Sequence, residues 1–266
     1  MLSYRPIVAV TCLSFEARMA AGPGITVLCG SAQRYIDQLE AIIAEGGSGI
    51  ISIGIAGGLA PGLESGDWVV ASSVIAGGAR YPADGRWSCC LLRALPGAVF
   101  ADIAGVDAPV VDKNAKREIY ETSRAVAVDM ESHIAARVAA KHGVPFAACR
   151  VIIDPAERTL PSAALAGIRA DGTTDPLAVL RSVMRQPSQI PPLLRVIADA
   201  RAARAALLRG RKLLGADLGF PGREEIQVKL SPDLDDDAAA GLAAAPRRAP
   251  LGEFERPVAP AIGDDR

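Results

Sequence analysis

Two acidic side chains stand at the ends of predicted strands near the middle of the chain. Glu131 follows the apolar residues 125–128, and Asp154 follows the apolar run 146–153. Ligands of open α/β sheets bind where loops from several strands converge, so these two carboxyl groups could share one cleft. In a cleft, carboxyl groups can bind hydroxyls or transfer protons. The alternative is that each acid is an ordinary solvated turn or cap residue.

A predicted helix connects these two strands. Residues 132–142 carry small and apolar side chains at helical spacing, and Gly143 can end the helix in a left-handed conformation. Pro145 then leads into the second strand. The order strand, acidic turn, helix, strand therefore predicts a βαβ unit with carboxylates at its strand ends.

A third acid and a glycine-rich segment precede this unit. Residues 6–11 predict a buried strand and Glu16 follows it, although an acid in the first turn of a helix is also stabilised by the helix dipole. Small residues at 54–59 end another predicted strand, where backbone amides can approach a ligand closely. This segment matches neither the Walker loop nor the dinucleotide fingerprint.

The composition describes a globular chain without a nucleic-acid footprint. The 266 residues are 50% hydrophobic and 22% charged, with 29 basic and 30 acidic side chains and a formal net charge of -1. The 5 cysteines lack the paired spacing of a zinc site or a disulfide framework, so we expect no metal. We also expect no cofactor. The apolar run at the N-terminus is too short for a secretory or membrane segment, which favours a cytoplasmic protein.

The succession of elements predicts an α/β fold with three layers, in which helices cover a mixed, twisted central sheet. Further strands are predicted at 25–29, 49–55, 68–73 and 97–104, with helices at 33–45, 175–185 and 191–214. A loop holding Tyr81, Asp84, Arg86 and Trp87 is expected to wall a pocket. We expect one domain over residues 1–220, and a disordered tail over residues 221–266 because it mixes Pro, Ala, Asp and Arg.

Three separated segments resemble the nucleoside phosphorylase and nucleosidase superfamily, which includes the methylthioadenosine/adenosylhomocysteine nucleosidases. They are VTCLSFEAR at 10–18, GIAGGLAPGLESGDWVV at 54–70 and VAVDMESHIAARVAAKHGVPFAACRVIID at 126–154, in the family's order and spacing. The segment DGTTDPLAVLR at 171–181 is similar to the hopanoid-associated phosphorylase branch. The resemblance implies a homo-oligomer, because members of the family are usually dimers or trimers.

The resemblance also implies an activity, cleavage of the N-glycosidic bond of an adenine nucleoside. Asp154 would donate a proton to the purine N7, because adenine leaves poorly as an anion. Glu131 would accept hydrogen bonds from the ribose hydroxyls and stabilise positive charge at C1′. Met130 would pack on the sugar. Glu16 would position or deprotonate the attacking water.

Other positions would complete the substrate site by the same resemblance. Ala56 and Gly57 would offer backbone amides, and Val110 lies in a segment similar to the family's base-stacking loop. Arg150 resembles an arginine near the catalytic acid, but it could equally be a buried ion-pair partner.

Four residues depart from the family pattern. Ile55 stands where many relatives have Ser or Thr, so a hydroxyl for phosphate or water is missing and Arg18, Arg80 or backbone amides would have to serve. Ile153 and Pro155 flank the acid Asp154 and could change its direction. Pro109 replaces an aromatic residue in the stacking loop. Hydrolysis and phosphorolysis both remain open.

The substrate expected from the branch resemblance is adenosylhopane. Methylthioadenosine or adenosylhomocysteine is the enzymatic alternative, and a nucleoside-binding protein that has lost turnover is an alternative of another class. The last predicted helix has a basic edge formed by Arg195, Arg201, Arg209 and Lys212. This edge is either simply solvated or approaches an anionic membrane that holds a lipid-linked nucleoside.

Overall fold

The strands form a single mixed sheet in the computed structural model, which describes residues 5–30, 32–161, 164, 181, 182 and 184–221. Its strands are β1 (Ile7–Thr11), β2 (Ile25–Cys29), β3 (Gly49–Gly58), β4 (Trp68–Ala76), β5 (Ala79–Pro82), β6 (Val99–Gly105), β7 (Ala127–Asp129) and β8 (Phe146–Asp154). The helices are α1 (Ser14–Ala20), α2 (Ala32–Ala44), α3 (Gly85–Ala94), α4 (Lys113–Ser123), α5 (Ser132–His142) and α6 (Ile190–Leu213), the last preceded by a 3-10 turn at Pro187–Gln189.

Part of the sheet closes on itself. Strand β3 pairs with both β7 and β8, β8 pairs with β4, β4 with β6, and β6 with β7. Strand β8 runs parallel to β3, whereas β7 runs antiparallel to it. The two strands joined by α5 thus flank β3 in opposite directions, and the prediction of a βαβ unit is wrong in this respect. The predicted mixed α/β architecture is confirmed.

Both faces of the sheet bury apolar side chains under helices. Along β1, Val8 and Val10 face a cluster that includes Leu39 of α2 and Ile134 of α5. Ile7 and Ala9 face the opposite cluster, which holds buried residues of α3 and α6, among them Trp87 and Leu207. This alternation is the period of two that a strand imposes on its side chains, and it produces the three predicted layers.

The predicted loop around Trp87 is instead β5 followed by α3. Asp84 caps α3 by accepting a hydrogen bond of 2.8 Å from the Trp87 backbone amide. The Trp87 side chain is fully buried and donates to the Leu218 carbonyl oxygen at 3.0 Å. Its ring contacts Phe220 edge to face, with centroids 4.8 Å apart. Trp87 therefore belongs to the core and does not line a substrate pocket.

The predicted helix at 191–214 is confirmed as α6, with Ala203 and Leu207 buried on its inner face. In the part of the chain that is described, no helix is long and apolar enough to cross a membrane. Most of the predicted helix at 175–185, most of the segment at 171–181 and nearly all of the predicted tail lie outside the described residues.

Candidate active site

The carboxylate of Glu16 links α1 to β3. Glu16 is fully buried, and its Oε2 accepts hydrogen bonds from the backbone amides of Cys12 at 3.1 Å and Leu13 at 2.8 Å. Its Oε1 accepts from the amide of Ile55 at 2.8 Å. Burial raises the pKa of Glu16, and the charge of Arg150 acts in the opposite direction. The first-turn position predicted for this acid is correct, but the side chain points inward.

Arg150 lies in the middle of β8 and is fully buried among acids. Its Nε lies 2.5 Å from Asp129 Oδ2, and its Nη2 lies 3.3 Å from Glu131 Oε2. Its Nη1 has no hydrogen-bond partner among the described residues. A Cβ atom added to Gly54 would lie 2.8 Å from this Nη1 and 2.5 Å from Glu16 Oε1, so both groups crowd against the same glycine. The structure thus shows Arg150 as a buried ion-pair partner of Asp129 and Glu131, whereas Asp154 pairs with a different cation.

Glu131 occupies the turn between β7 and α5 with only 4% of its surface exposed. The neighbouring Asp129 accepts a hydrogen bond of 3.0 Å from the amide of Ser132, the first residue of α5. Burial raises the pKa of Glu131 to about 7; Arg150 opposes this rise, whereas Asp129 and Glu16 add to it. Glu131 is therefore a carboxyl group that ionises near neutral pH.

Asp154 ends β8 in a second buried cluster, together with a lysine that the sequence patterns did not reveal. The ammonium of Lys116, on α4, forms an ion pair with Asp154 Oδ2. Lys116 is fully buried, and its Nζ also donates to the carbonyl oxygens of Pro155 at 3.0 Å and Arg158 at 3.1 Å. Burial raises the pKa of Asp154, and Lys116 opposes that rise. Asp154 is thus held by a cation instead of standing alone.

The two clusters are separated along β3 and β8. Arg150 pairs in register with Gly54, and Asp154 pairs with Gly57. Gly54 and Gly57 are three positions apart on β3, a span of roughly 10 Å in an extended strand, and this span separates the guanidinium beside Gly54 from the carboxyl group beside Gly57. Gly57 lies directly beside the acid, because a Cβ there would lie 3.5 Å from Asp154 Oδ1.

The remaining predicted residues are less distinctive. Met130 and Val110 are half-buried, and Ala56 is buried in the core, so only its backbone could serve a ligand. Pro109 is exposed. Sequence patterns also missed His133, whose Nε2 lies 3.1 Å from an oxygen of the exposed Asp107.

The arginines considered for phosphate do not join either cluster. Arg80 pairs with Asp102 at 2.6 Å and is more than half exposed, and Arg18 is exposed. Among the described residues, Arg150 is the cation whose charge acts on both Glu16 and Glu131, and it already forms an ion pair with Asp129.

The geometry can be compared with known proteins. Residues 99–185 match a family model described as the Phosphorylase superfamily, a range that holds Lys116, Glu131, Arg150 and Asp154 but not Glu16. A comparison with curated proteins gives no match.

Solved structures share the fold at low sequence identity. The 5'-methylthioadenosine/S-adenosyl homocysteine nucleosidase of Helicobacter pylori has a TM-score of 0.57 and 16% identity, over 79% of this chain and 96% of that chain. Futalosine hydrolase of the same species has a TM-score of 0.57 and 16% identity, covering 81% and 97%. S-adenosylhomocysteine nucleosidase of Streptococcus pyogenes has a TM-score of 0.56 and 14% identity, covering 84% and 100%. At these identities, the likenesses show a shared fold.

Proposed function

We propose that this protein hydrolyses the N-glycosidic bond of an adenine nucleoside and releases free adenine. The observation that carries the proposal is the pair of buried clusters, Glu16–Arg150–Glu131 and Asp154–Lys116, set roughly 10 Å apart. A nucleoside fits this spacing, with its ribose hydroxyls at one carboxylate and the purine N7 at the other. The solved nucleosidases with this fold include complexes with adenine-nucleoside analogues, which supports the same substrate class.

Each carboxyl group has a separate task in this proposal. Asp154 protonates N7 while the C1′–N9 bond breaks and its electron pair moves to the purine. Glu131, when ionised, accepts hydrogen bonds from the 2′- and 3′-hydroxyls and stabilises the positive charge at C1′. Water attacks C1′ and passes a proton to Glu16. Met130 packs against the sugar.

Charge and hydrogen bonding favour water over phosphate as the nucleophile. The acids Asp129, Glu16 and Glu131 surround the single guanidinium of Arg150, so a phosphate dianion would meet an excess of negative charge. Water needs only one donor and one acceptor, which the unpartnered Nη1 of Arg150 and the adjacent Glu16 carboxylate supply. A phosphorylase that forms a phosphoribosyl product is the less favoured alternative.

Adenine release without phosphate is the expected result. The purified chain is incubated with adenosine, methylthioadenosine, adenosylhomocysteine and adenosylhopane in phosphate-free buffer, and free adenine is quantified by chromatography. We expect turnover of at least one of them, at a rate that added phosphate leaves unchanged. Tight binding of a nucleoside without release of adenine would support the alternative of a binding protein and contradict the proposal.

Within that class, adenosylhopane is the substrate we favour, and methylthioadenosine or adenosylhomocysteine the alternatives. The exposed face of α6 and the segment before it support a lipid-linked substrate. This region has exposed large apolar side chains next to exposed cations. The apolar residues are Met184, Ile190, Leu194 and Ile197, and the cations are Arg195, Arg201, Arg204, Arg209 and Lys212. Apolar and basic residues on one helix face are typical of peripheral contact with anionic membranes. The proposal includes a cytoplasmic location.

Sedimentation with vesicles tests the membrane contact. We expect the chain to pellet with phosphatidylglycerol-containing vesicles at low salt and to remain in solution with purely zwitterionic ones. Leu194→Ser combined with Ile197→Ser should abolish pelleting, whereas Phe100→Ser, which alters an exposed apolar residue on β6, should not. If the chain does not pellet, light scattering shows whether it self-associates. Self-association that the same double variant disrupts would mean that this face binds a second copy of the chain.

A further inference from the structure

Lys116 has a hydrogen-bonding arrangement that suits two protonation states. An ammonium group has three N–H donors, and the structure supplies three acceptors, Asp154 Oδ2 and the carbonyl oxygens of Pro155 and Arg158. A neutral amine would keep two N–H donors for the two carbonyl oxygens and turn its lone pair to a protonated Asp154. A proton can therefore cross from Lys116 to Asp154 without loss of a hydrogen bond.

The surroundings isolate this pair from water. Lys116 has no exposed surface and Asp154 has 6%. The other charged group that acts on Asp154 is Arg158, whose guanidinium is itself paired with Asp199 of α6. In such a site an ion pair and a neutral pair are closer in free energy than in water, because burial penalises the charged forms.

We propose that Lys116 is a positioning residue that holds the proton which Asp154 delivers to the leaving purine. The inference rests on the proposed function and deepens it. The pair starts as an ammonium and a carboxylate. Lys116 passes its proton to Asp154, and as the C1′–N9 bond breaks the N7 lone pair takes this same proton from Asp154. Asp154 ends the step ionised, Lys116 ends it as a neutral amine, and the purine leaves neutral. Departure of adenine opens the site to water, which reprotonates the amine.

The alternative role is a clamp that only fixes the chain after β8, since Lys116 also binds the carbonyl oxygens of Pro155 and Arg158. Three variants separate the two roles. Lys116→Met removes the charge and the proton, and Lys116→Arg keeps a cation and its donors but cannot release a proton. Lys113→Met, at an exposed position of the same helix, is the matched control.

The test compares two leaving groups across pH 6 to 8 (~1 pH unit on either side of neutral). Adenine release needs protonation of the leaving group, whereas 4-nitrophenyl β-D-ribofuranoside has a leaving group that departs as an anion. For adenine release, the ratio of wild-type to Lys116→Met rates should rise with pH, by at most about 10-fold per pH unit, because only the fraction of Asp154 that is still protonated remains active in the variant. Ionisation of Glu131 affects the rates of both proteins equally, so it does not change this ratio. Lys116→Arg should also lose adenine release at pH 8.

Cleavage of the nitrophenyl riboside should be close to wild type in both Lys116 variants, and Lys113→Met should resemble wild type on both substrates. If Lys116 acts only as a clamp, Lys116→Met should lower both reactions equally and leave their pH profiles unchanged, or Lys116→Arg should restore adenine release. Either result overturns the inference. If the wild-type chain releases no adenine from any nucleoside, the proposed function fails and the inference with it. Adenine release by wild type with a pH-independent ratio overturns the inference alone.

Discussion

Asp154→Asn is expected to lower the rate of adenine release by about 1,000-fold, within the range that a positioned general acid contributes. The asparagine amide keeps the shape of the side chain but cannot give a proton to N7. The same substitution leaves the buried ammonium of Lys116 without its anion, which should cost about 3–5 kcal/mol of unfolding free energy. Rate and stability are measured by single-turnover kinetics and by chemical denaturation.

The double variant Asp154→Asn/Lys116→Met separates these two effects. Removal of both charges should restore much of the lost stability, because no unpaired ion remains buried, but it should restore no activity. The exposed Asp37 on α2 is the matched control, and Asp37→Asn should change neither quantity. Wild-type turnover in the folded Asp154→Asn variant would eliminate Asp154 as the acid.

Glu131→Gln is expected to lower the rate by about 100-fold, comparable with removal of one preorganised electrostatic contact to a transition state. Because the pKa of Glu131 is raised to about 7, wild-type activity should fall as the pH drops through this value and the carboxylate is protonated. The activity of the glutamine variant should not show this fall at low pH. Profiles of kcat/KM against pH measure both effects, and an unchanged rate would refute the ribose-binding role.

The same substitution should stabilise the fold at alkaline pH. The folded-state pKa of Glu131, about 7, lies above its ordinary value of 4.5, so the group favours folding below pH 4.5 and loses that contribution as the pH rises through 7. Glutamine has no such loss, and it can still accept from Arg150. The variant should therefore gain roughly 3 kcal/mol relative to wild type between pH 4 and 8. Glu118→Gln, at an exposed position, is the control. The predicted direction is contradicted if the Tm difference between Glu131→Gln and wild type is the same at both pH values.

Local patterns were sufficient for the elements that carry the acids. The spacing of apolar residues and the left-handed Gly143, with φ 64°, defined α5, and short apolar runs defined β1, β3 and β8. Helices α3 and α4 were missed although Asp84 and Asp112 cap them. In α3 the buried Trp87 was interpreted as a loop residue, and α4 is mostly polar. The direction of β7 was also not predicted correctly, because the local sequence of a strand does not show whether it runs parallel or antiparallel to its neighbour.

The site depends on contacts that are distant in sequence. Lys116 and Asp154 are separated by 38 positions, and no spacing pattern marks a lysine that will be buried. Ile55 was interpreted as the loss of a hydroxyl group. The structure shows that its backbone amide donates to Glu16 at 2.8 Å, so this position supports the acid whatever its side chain is.

Hydrolysis at these two clusters is the central claim, and the sugar product tests it most directly. Wild-type chain and the nucleoside that it turns over are incubated with excess inorganic phosphate, and the products are followed by ³¹P NMR alongside a reducing-sugar assay. Our account predicts one equivalent of free sugar per adenine and no sugar phosphate, because the acids around Arg150 exclude the phosphate dianion. A sugar 1-phosphate formed in step with adenine would contradict it.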